Sequence, residues 1–277
     1  MKLYLRNGFI EKPDPLVMGI LNVTPDSFSD AGRFFDAAAA LAHARALAAA
    51  GADIIDVGGE STRPGAAAIG SDEETDRVLP VIEKIKQELG VLVSVDTSKE
   101  EVARLAVEEG GADLVNDISG LRFSEHMAAA VAELNVPVVV MHMQGTPEDM
   151  QRHPAYGDVV GEIKDFFRER IEFAMSRGVK KEKIILDPGI GFGKKLEHNV
   201  AIVRQLRDFA EFELPLLVGL SRKSFLGLLS GEKAAERRGA ETLAASLVAA
   251  RNGAAILRVH DVEAMVKALK IWHSLAD

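Results

Sequence analysis

Residues 58–65 read Gly-Gly-Glu-Ser-Thr-Arg-Pro-Gly, directly after the apolar run at 54–57. A connecting loop needs one or two turn-forming residues. This one crowds a carboxylate, two hydroxyls and a guanidinium between glycines, with Pro64 the one apolar side chain among them. Near the other end of the chain, Arg258 and His260 stand two apart at the end of an apolar run, and Ser221-Arg222-Lys223-Ser224 ends the run before it. Residues two apart on an extended segment share a side. A forked guanidinium and an imidazole on one side can grip a phosphate. Asp, Asn and Ser at such places have an ordinary use as helix caps and turn residues. Cations do not, because a helix N-terminus disfavours them. Arg258 and His260 therefore point to a bound anion, the alternative being a surface arginine beside a histidine that caps the last helix. The run Asp187-Pro188-Gly189-Ile190-Gly191-Phe192-Gly193-Lys194 fits neither the P-loop nor the dinucleotide fingerprint. Its glycines would instead let a flat ligand approach the backbone, with Phe192 beside it.

These residues need elements to position them, and the chain supplies a rhythm. Short apolar runs recur at 17–21, 54–57, 91–95, 114–115, 136–141, 184–186, 216–218 and 255–257. Between them lie stretches of helical periodicity at 37–50, 73–88, 100–109, 159–176, 199–209, 240–251 and 262–274. Alternating strands and helices predict a parallel sheet, and strands buried on both faces read as continuous apolar runs, as these do. The expectation is an α/β fold in one domain over residues 1–277, a single (β/α)8 TIM barrel, with a doubly wound open sheet as the alternative. Residues 3–10, with the turn signal Asn7-Gly8, predict an N-terminal β-hairpin capping the barrel bottom. Each predicted strand ends in something polar: Asn22, then Asp56 with the 58–63 loop, Asp96-Thr97-Ser98, Asn116-Asp117, His142, Asp187, Ser221–Ser224 and Arg258–His260. In a barrel these ends converge on the C-terminal mouth, where active sites of this fold lie.

Composition narrows the function. The 277 residues are 47% hydrophobic and 27% charged, in the range of a soluble globular protein. There is no cysteine, which excludes disulfides and thiolate metal sites. No stretch reads as a signal peptide or membrane span, so a cytoplasmic protein is expected. A net charge of −9 argues against nucleic acid, and any anionic ligand requires cations concentrated locally. The seven histidines show no metal-ligand spacing, but Mg2+ stays open because it needs only one or two protein oxygens plus a phosphate.

Taken together, residues 19–30 (GILNVTPDSFSD), 58–64, 94–97, 116–120, 141–147, 187–192, 221–224 and 258–260 resemble dihydropteroate synthases, in that family's order from about residue 17 to the C-terminus. Ala31 departs from the glycine expected in the first loop. The resemblance implies condensation of 6-hydroxymethyl-7,8-dihydropterin diphosphate with 4-aminobenzoate, releasing diphosphate, with Mg2+ as cofactor and a homodimer as the assembly. It implies a pterin site of Asp96, Asn116, Asp187, Gly219 and Lys223, with Ile118 and Met141 against the ring faces. Asp187 and Asn116 would take the amino-pyrimidine edge, Asp96 the other ring, and Lys223 the carbonyl and a ring nitrogen. Thr62, Arg63, Pro64, Phe192 and Ser224 would hold 4-aminobenzoate. Asn22, Arg63, Arg258 and His260 would hold diphosphate, with Asn22 also on the metal. Asp96, Lys223, Thr62 and Arg63 are the catalytic group so implied, and the 58–65 loop becomes a lid. Two rivals share the pocket: a pterin-dependent methyltransferase, which has no use for a diphosphate grip, and a non-catalytic pterin-binding homologue.

Overall fold

The computed structural model describes residues 2–24, 37–61, 66 and 68–275. Two short strands, β1 (Lys2–Tyr4) and β2 (Phe9–Glu11), pair antiparallel with Leu3 opposite Ile10. Gly8 turns the chain between them at φ 89°. The barrel strands follow: β3 (Leu16–Asn22), β4 (Ile54–Gly58), β5 (Leu92–Asp96), β6 (Leu114–Asp117), β7 (Val138–Met141), β8 (Ile184–Asp187), β9 (Leu217–Val218) and β10 (Ile256–Val259). They form one eight-stranded sheet in the order β8-β7-β6-β5-β4-β3-β10-β9, with every pairing parallel. Its two ends meet where Leu186 bridges Leu216, the Leu186 amide donating to the Pro215 carbonyl at 2.9 Å. That bridge closes the (β/α)8 barrel.

Period-two alternation sends each strand's side chains to two places. Outward, Val57, Val93, Val95, Val115, Val140 and Leu186 pack with helix residues such as Val78, Ile82, Val102 and Phe167 in the larger apolar core. Inward at the bottom, Leu16, Met18, Ile54, Leu114, Val139, Ile185, Leu217 and Ile256 form a second core, and Leu3 of the hairpin is buried in it. Above that floor the inward positions turn polar: Asp56, Ser94 and Asn116 are all buried.

The helices are α1 (Ala37–Ala49), α2 (Ser71–Glu88), α3 (Glu100–Glu108), α4 (Met127–Leu134), α5 (Val159–Ser176), α6 (Leu196–Arg204), α7 (Ser224–Ser230), α8 (Gly239–Arg251) and α9 (Val262–Leu275). α2 shows why such segments are helical. Val78, Val81, Ile82 and Ile85 make a buried stripe, and Asp72, Glu73 and Glu74 complement the dipole of its first turn. Two helices differ from the sequence reading, which names no stretch at either place. α4 is apolar almost all round, so it shows no amphipathic contrast, and α7 has only seven residues. The periodicity at 199–209 also divides, into α6 and a 3-10 turn over Leu206–Phe212.

Candidate active site

The polar strand ends meet at one mouth. At its centre Arg258, on β10, donates from Nε to Asp56 Oδ2 at 2.6 Å and from Nη2 to Asp96 Oδ2 at 2.7 Å. Asn116 Nδ2 donates to the same Asp56 oxygen at 3.0 Å. Asp56 is wholly buried and the Asp96 side chain is 9% exposed. Burial pushes the Asp96 carboxyl up to about 7 against the opposing pull of Arg258, with Asp56 adding repulsion. Burial also works against the Arg258 charge, but the two carboxylates more than offset it and its pKa rises above the ordinary arginine value. The expectation that Arg258 helps to hold an anion therefore rests on the part of the guanidinium that these carboxylates leave over. Two of its nitrogens are already committed to carboxylates.

Asp187 ends β8. Its Oδ1 accepts the Gly189 amide at 2.7 Å, and burial raises its pKa to about 6 in spite of that bond. Lys223, in the loop before α7, holds its ammonium 4.2 Å from the centre of the Phe192 ring. Burial lowers it to about 8, with the Arg258 charge adding to the effect. Beside them Ile118, Met141, Met143 and Met150 form an apolar wall with Phe192 packed against it. Such a wall suits the faces of a flat heterocycle.

The other expected residues lie around this centre. Gly219 follows β9, where an added Cβ would stand 3.8 Å from that of Arg258. Ser224 opens α7 and is exposed. The His260 amide and Nδ1 lie 3.2 and 2.8 Å from Ser221 Oγ. Asn22 ends β3, and its Oδ1 and Asp96 Oδ2 both flank Gly58. Thr62, Arg63 and Pro64, and the first loop with Ala31, lie outside the described residues. The root of the 58–65 loop is described. There Glu60 Oε1 accepts the Ile69 amide at 3.1 Å, Lys99 bridges Glu60 and the buried Glu74, and Arg77 Nη1 donates to the Gly59 carbonyl at 2.8 Å.

Three partners escape a reading by motif. Asp56 is read in the sequence as one of the polar strand ends, with nothing to say that Asn116 and Arg258 both donate to it. Lys99 is an ordinary lysine until Glu60 and Glu74 are seen beside it. His142, expected at the mouth, is buried, edge-on to Phe166 with ring centres 5.0 Å apart and 2.9 Å from the Lys194 ammonium. Among the described residues no three acidic or histidine groups cluster as a metal cage. Asn22 supplies one hard amide oxygen at the mouth, which fits Mg2+ held mainly by a ligand's phosphate oxygens.

A family model described as "Pterin binding enzyme" matches residues 18–260. The chain belongs to the pterin-binding enzyme family. Within this family it is 49% identical to the dihydropteroate synthase of Escherichia coli K12 over 271 residues, 98% of this chain and 95% of that one. The Yersinia pestis dihydropteroate synthase solved in a sulfonamide drug complex superposes with a TM-score of 0.93 at 46% identity, covering 100% of this chain and 99% of that one. The Xanthomonas albilineans enzyme solved with 4-aminobenzoic acid gives 0.92 at 46% identity, covering 99% and 98%. The same organism's enzyme in complex with 7,8-dihydropteroate gives 0.89 at 43% identity, covering 100% and 99%.

Proposed function

We propose that this protein is a dihydropteroate synthase, joining 6-hydroxymethyl-7,8-dihydropterin diphosphate to 4-aminobenzoate with loss of diphosphate. The observation that carries this reading is the meeting, at one barrel mouth, of buried acids suited to a pterin edge with Lys223, Arg258 and His260. The relatives solved with 4-aminobenzoic acid and 7,8-dihydropteroate agree with that substrate pair.

In this reading the Asp187 carboxylate accepts the adjacent N–H donors of the amino-pyrimidine edge. Asn116 has its amide nitrogen on Asp56, so its Oδ1 is left as an acceptor for the ligand. Asp96 takes the second ring and favours positive charge on it, while Ile118 and Met141 lie against the ring faces. Lys223 reaches the pterin carbonyl and a ring nitrogen, and Phe192 and Ser224 border 4-aminobenzoate with Thr62, Arg63 and Pro64. His260, Arg63 and the remaining face of the Arg258 guanidinium meet diphosphate. No protein nucleophile is needed. The C–O bond to diphosphate breaks as the ring releases electrons toward the methylene carbon. The aromatic amine then forms the C–N bond and gives up a proton. Asn22 would hold Mg2+, which when bound neutralises charge on the phosphate oxygens.

The whole chain, 1–277, acts as one catalytic unit in this proposal, in the cytoplasm and as a homodimer. The solvent-facing Leu228 and Leu229 of α7 and Val248 of α8 support a partner surface there. Among the described residues no helix is long and apolar enough to cross a membrane.

The test is diphosphate release from the pterin diphosphate, with and without 4-aminobenzoate. Release that requires 4-aminobenzoate and matches dihydropteroate formation is expected. Methyl transfer from a methylated folate, or binding without turnover, would overturn the proposal.

A further inference from the structure

The run from Asp187 to Lys194 ends in a buried lysine. Lys194 is 3% exposed. Its ammonium lies 2.9 Å from His142 Nδ1, 2.9 Å from the Gly189 carbonyl, 3.0 Å from that of Phe192 and 3.2 Å from that of His142. None of these hydrogen-bond partners is a carboxylate, and burial lowers the Lys194 ammonium to about 7 against the pull of the Asp187 charge, so carbonyl dipoles and one imidazole nitrogen hold the group. Burial and the Lys194 charge keep His142 neutral, which leaves its Nδ1 free to accept.

The loop that Lys194 grips is pressed onto the end of β7. A Cβ on Gly189 would lie 1.9 Å from the His142 carbonyl oxygen, and one on Gly193 would lie 2.6 Å from that of Gln144. Other carbonyls of the loop are met in turn. Gln151 Nε2 donates to Gly191 at 2.5 Å and Tyr156 Oη to Gly193 at 2.8 Å. The loop starts at the buried Asp187 and carries the half-buried Phe192 near its end.

We propose that Lys194 is a positioning residue: seated on His142, its ammonium clamps the loop after β8 and sets Asp187 and Phe192 together, one group for each substrate. The inference rests on the dihydropteroate synthase reading and adds to it a link between the two substrate sites. The link needs no contact between Lys194 and either ligand.

The test compares Lys194→Met with the wild type in three measurements: calorimetry with hydroxymethyl dihydropterin, the KM for 4-aminobenzoate, and calorimetry with inorganic diphosphate. Loss of the clamp strips the Phe192 carbonyl of its partner and leaves the Gly189 carbonyl only the Phe192 amide, so the first two should weaken on the order of ten- to a hundredfold. Diphosphate binding should stay within about twofold, since its residues lie on other strands and Lys194→Met removes none of its charge-assisted contacts. A second pair guards against a variant that does not fold. His142→Asn keeps an acceptor near the Nδ1 position and should retain most of the binding, whereas His142→Leu should behave like Lys194→Met. Unchanged pterin and aminobenzoate binding in Lys194→Met and His142→Leu would overturn the clamp, as would equal weakening of all three ligands. Wild-type protein without turnover would instead overturn the functional reading on which the clamp rests.

Discussion

The carboxyl of Asp187 titrates where burial has put it, near 6, and only its ionised form offers the oxygens that a pair of N–H donors requires. Protonation removes the acceptor, so binding that depends on it is lost as pH falls through about 6 and is complete above. Calorimetry with hydroxymethyl dihydropterin should show Kd rising below the Asp187 value, approaching tenfold per unit as for one proton, while Asp96 near 7 and Lys223 near 8 shape the curve above it. Asp187→Asn should bind weakly, by roughly 2–3 kcal/mol, because a pterin donor is left unpaired in a desolvated site. Its Kd should also lose that acid limb, and an identical limb in the variant would sink the assignment. Arg258 and His260 should separate. Arg258→Ala strands the carboxylates of Asp56 and Asp96, so it should cost about 3–5 kcal/mol of stability as well as ligand affinity. His260→Ala should weaken the pterin diphosphate by about 1.5 kcal/mol, spare the bare pterin and leave the unfolding midpoint nearly unmoved. Parallel loss of stability in both variants would make the pair a purely structural one.

At the scale of the element, the strand ends were legible because a parallel barrel leaves a repeated mark: an apolar run, then a polar residue. The pairing within the inner polar layer was not. Both faces of each strand are buried, so Asp56 and Asn116 sit in runs whose inward register shows only once Ile54 and Leu114 are seen in the barrel floor. The helices that escaped, α4 and α7, lack either an exposed polar face or the length to show a period. The glycine run after β8 could be recognised, but not the direction of Lys194, which depends on positive φ at Gly189, Gly191 and Gly193. Gly189 has φ 66° and no room for a Cβ. Gly189→Ala should therefore combine left-handed strain of about 1–2 kcal/mol with displacement of the loop from β7. A drop in pterin affinity larger than the drop in stability would be the sign of that displacement. An alanine variant with wild-type affinity would show the contact to be dispensable.

At the scale of the molecule, the barrel divides its labour along its axis. The net charge of −9 is spread over the chain, while Lys223, Arg258 and His260 gather at the mouth, opposite the hairpin. At the other end Leu3 is 1% exposed and joins a floor drawn from Leu16, Ile54, Leu114, Val139, Ile185 and Ile256. If the bottom serves stability and the top chemistry, a cavity cut at Leu3 should be felt in one and not the other. Leu3→Ala should lower unfolding free energy by about 2–4 kcal/mol, read from the denaturant midpoint at unchanged slope. Turnover and both KM values at 25 °C should stay within about twofold, because Asp56 lies above that floor and is tied to Asn116 and Arg258 by hydrogen bonds that Leu3 does not touch. A rise in the pterin diphosphate KM that tracks the loss of stability would mean that the floor holds the charged layer in register. Stability and catalysis would then be one property of this barrel rather than two.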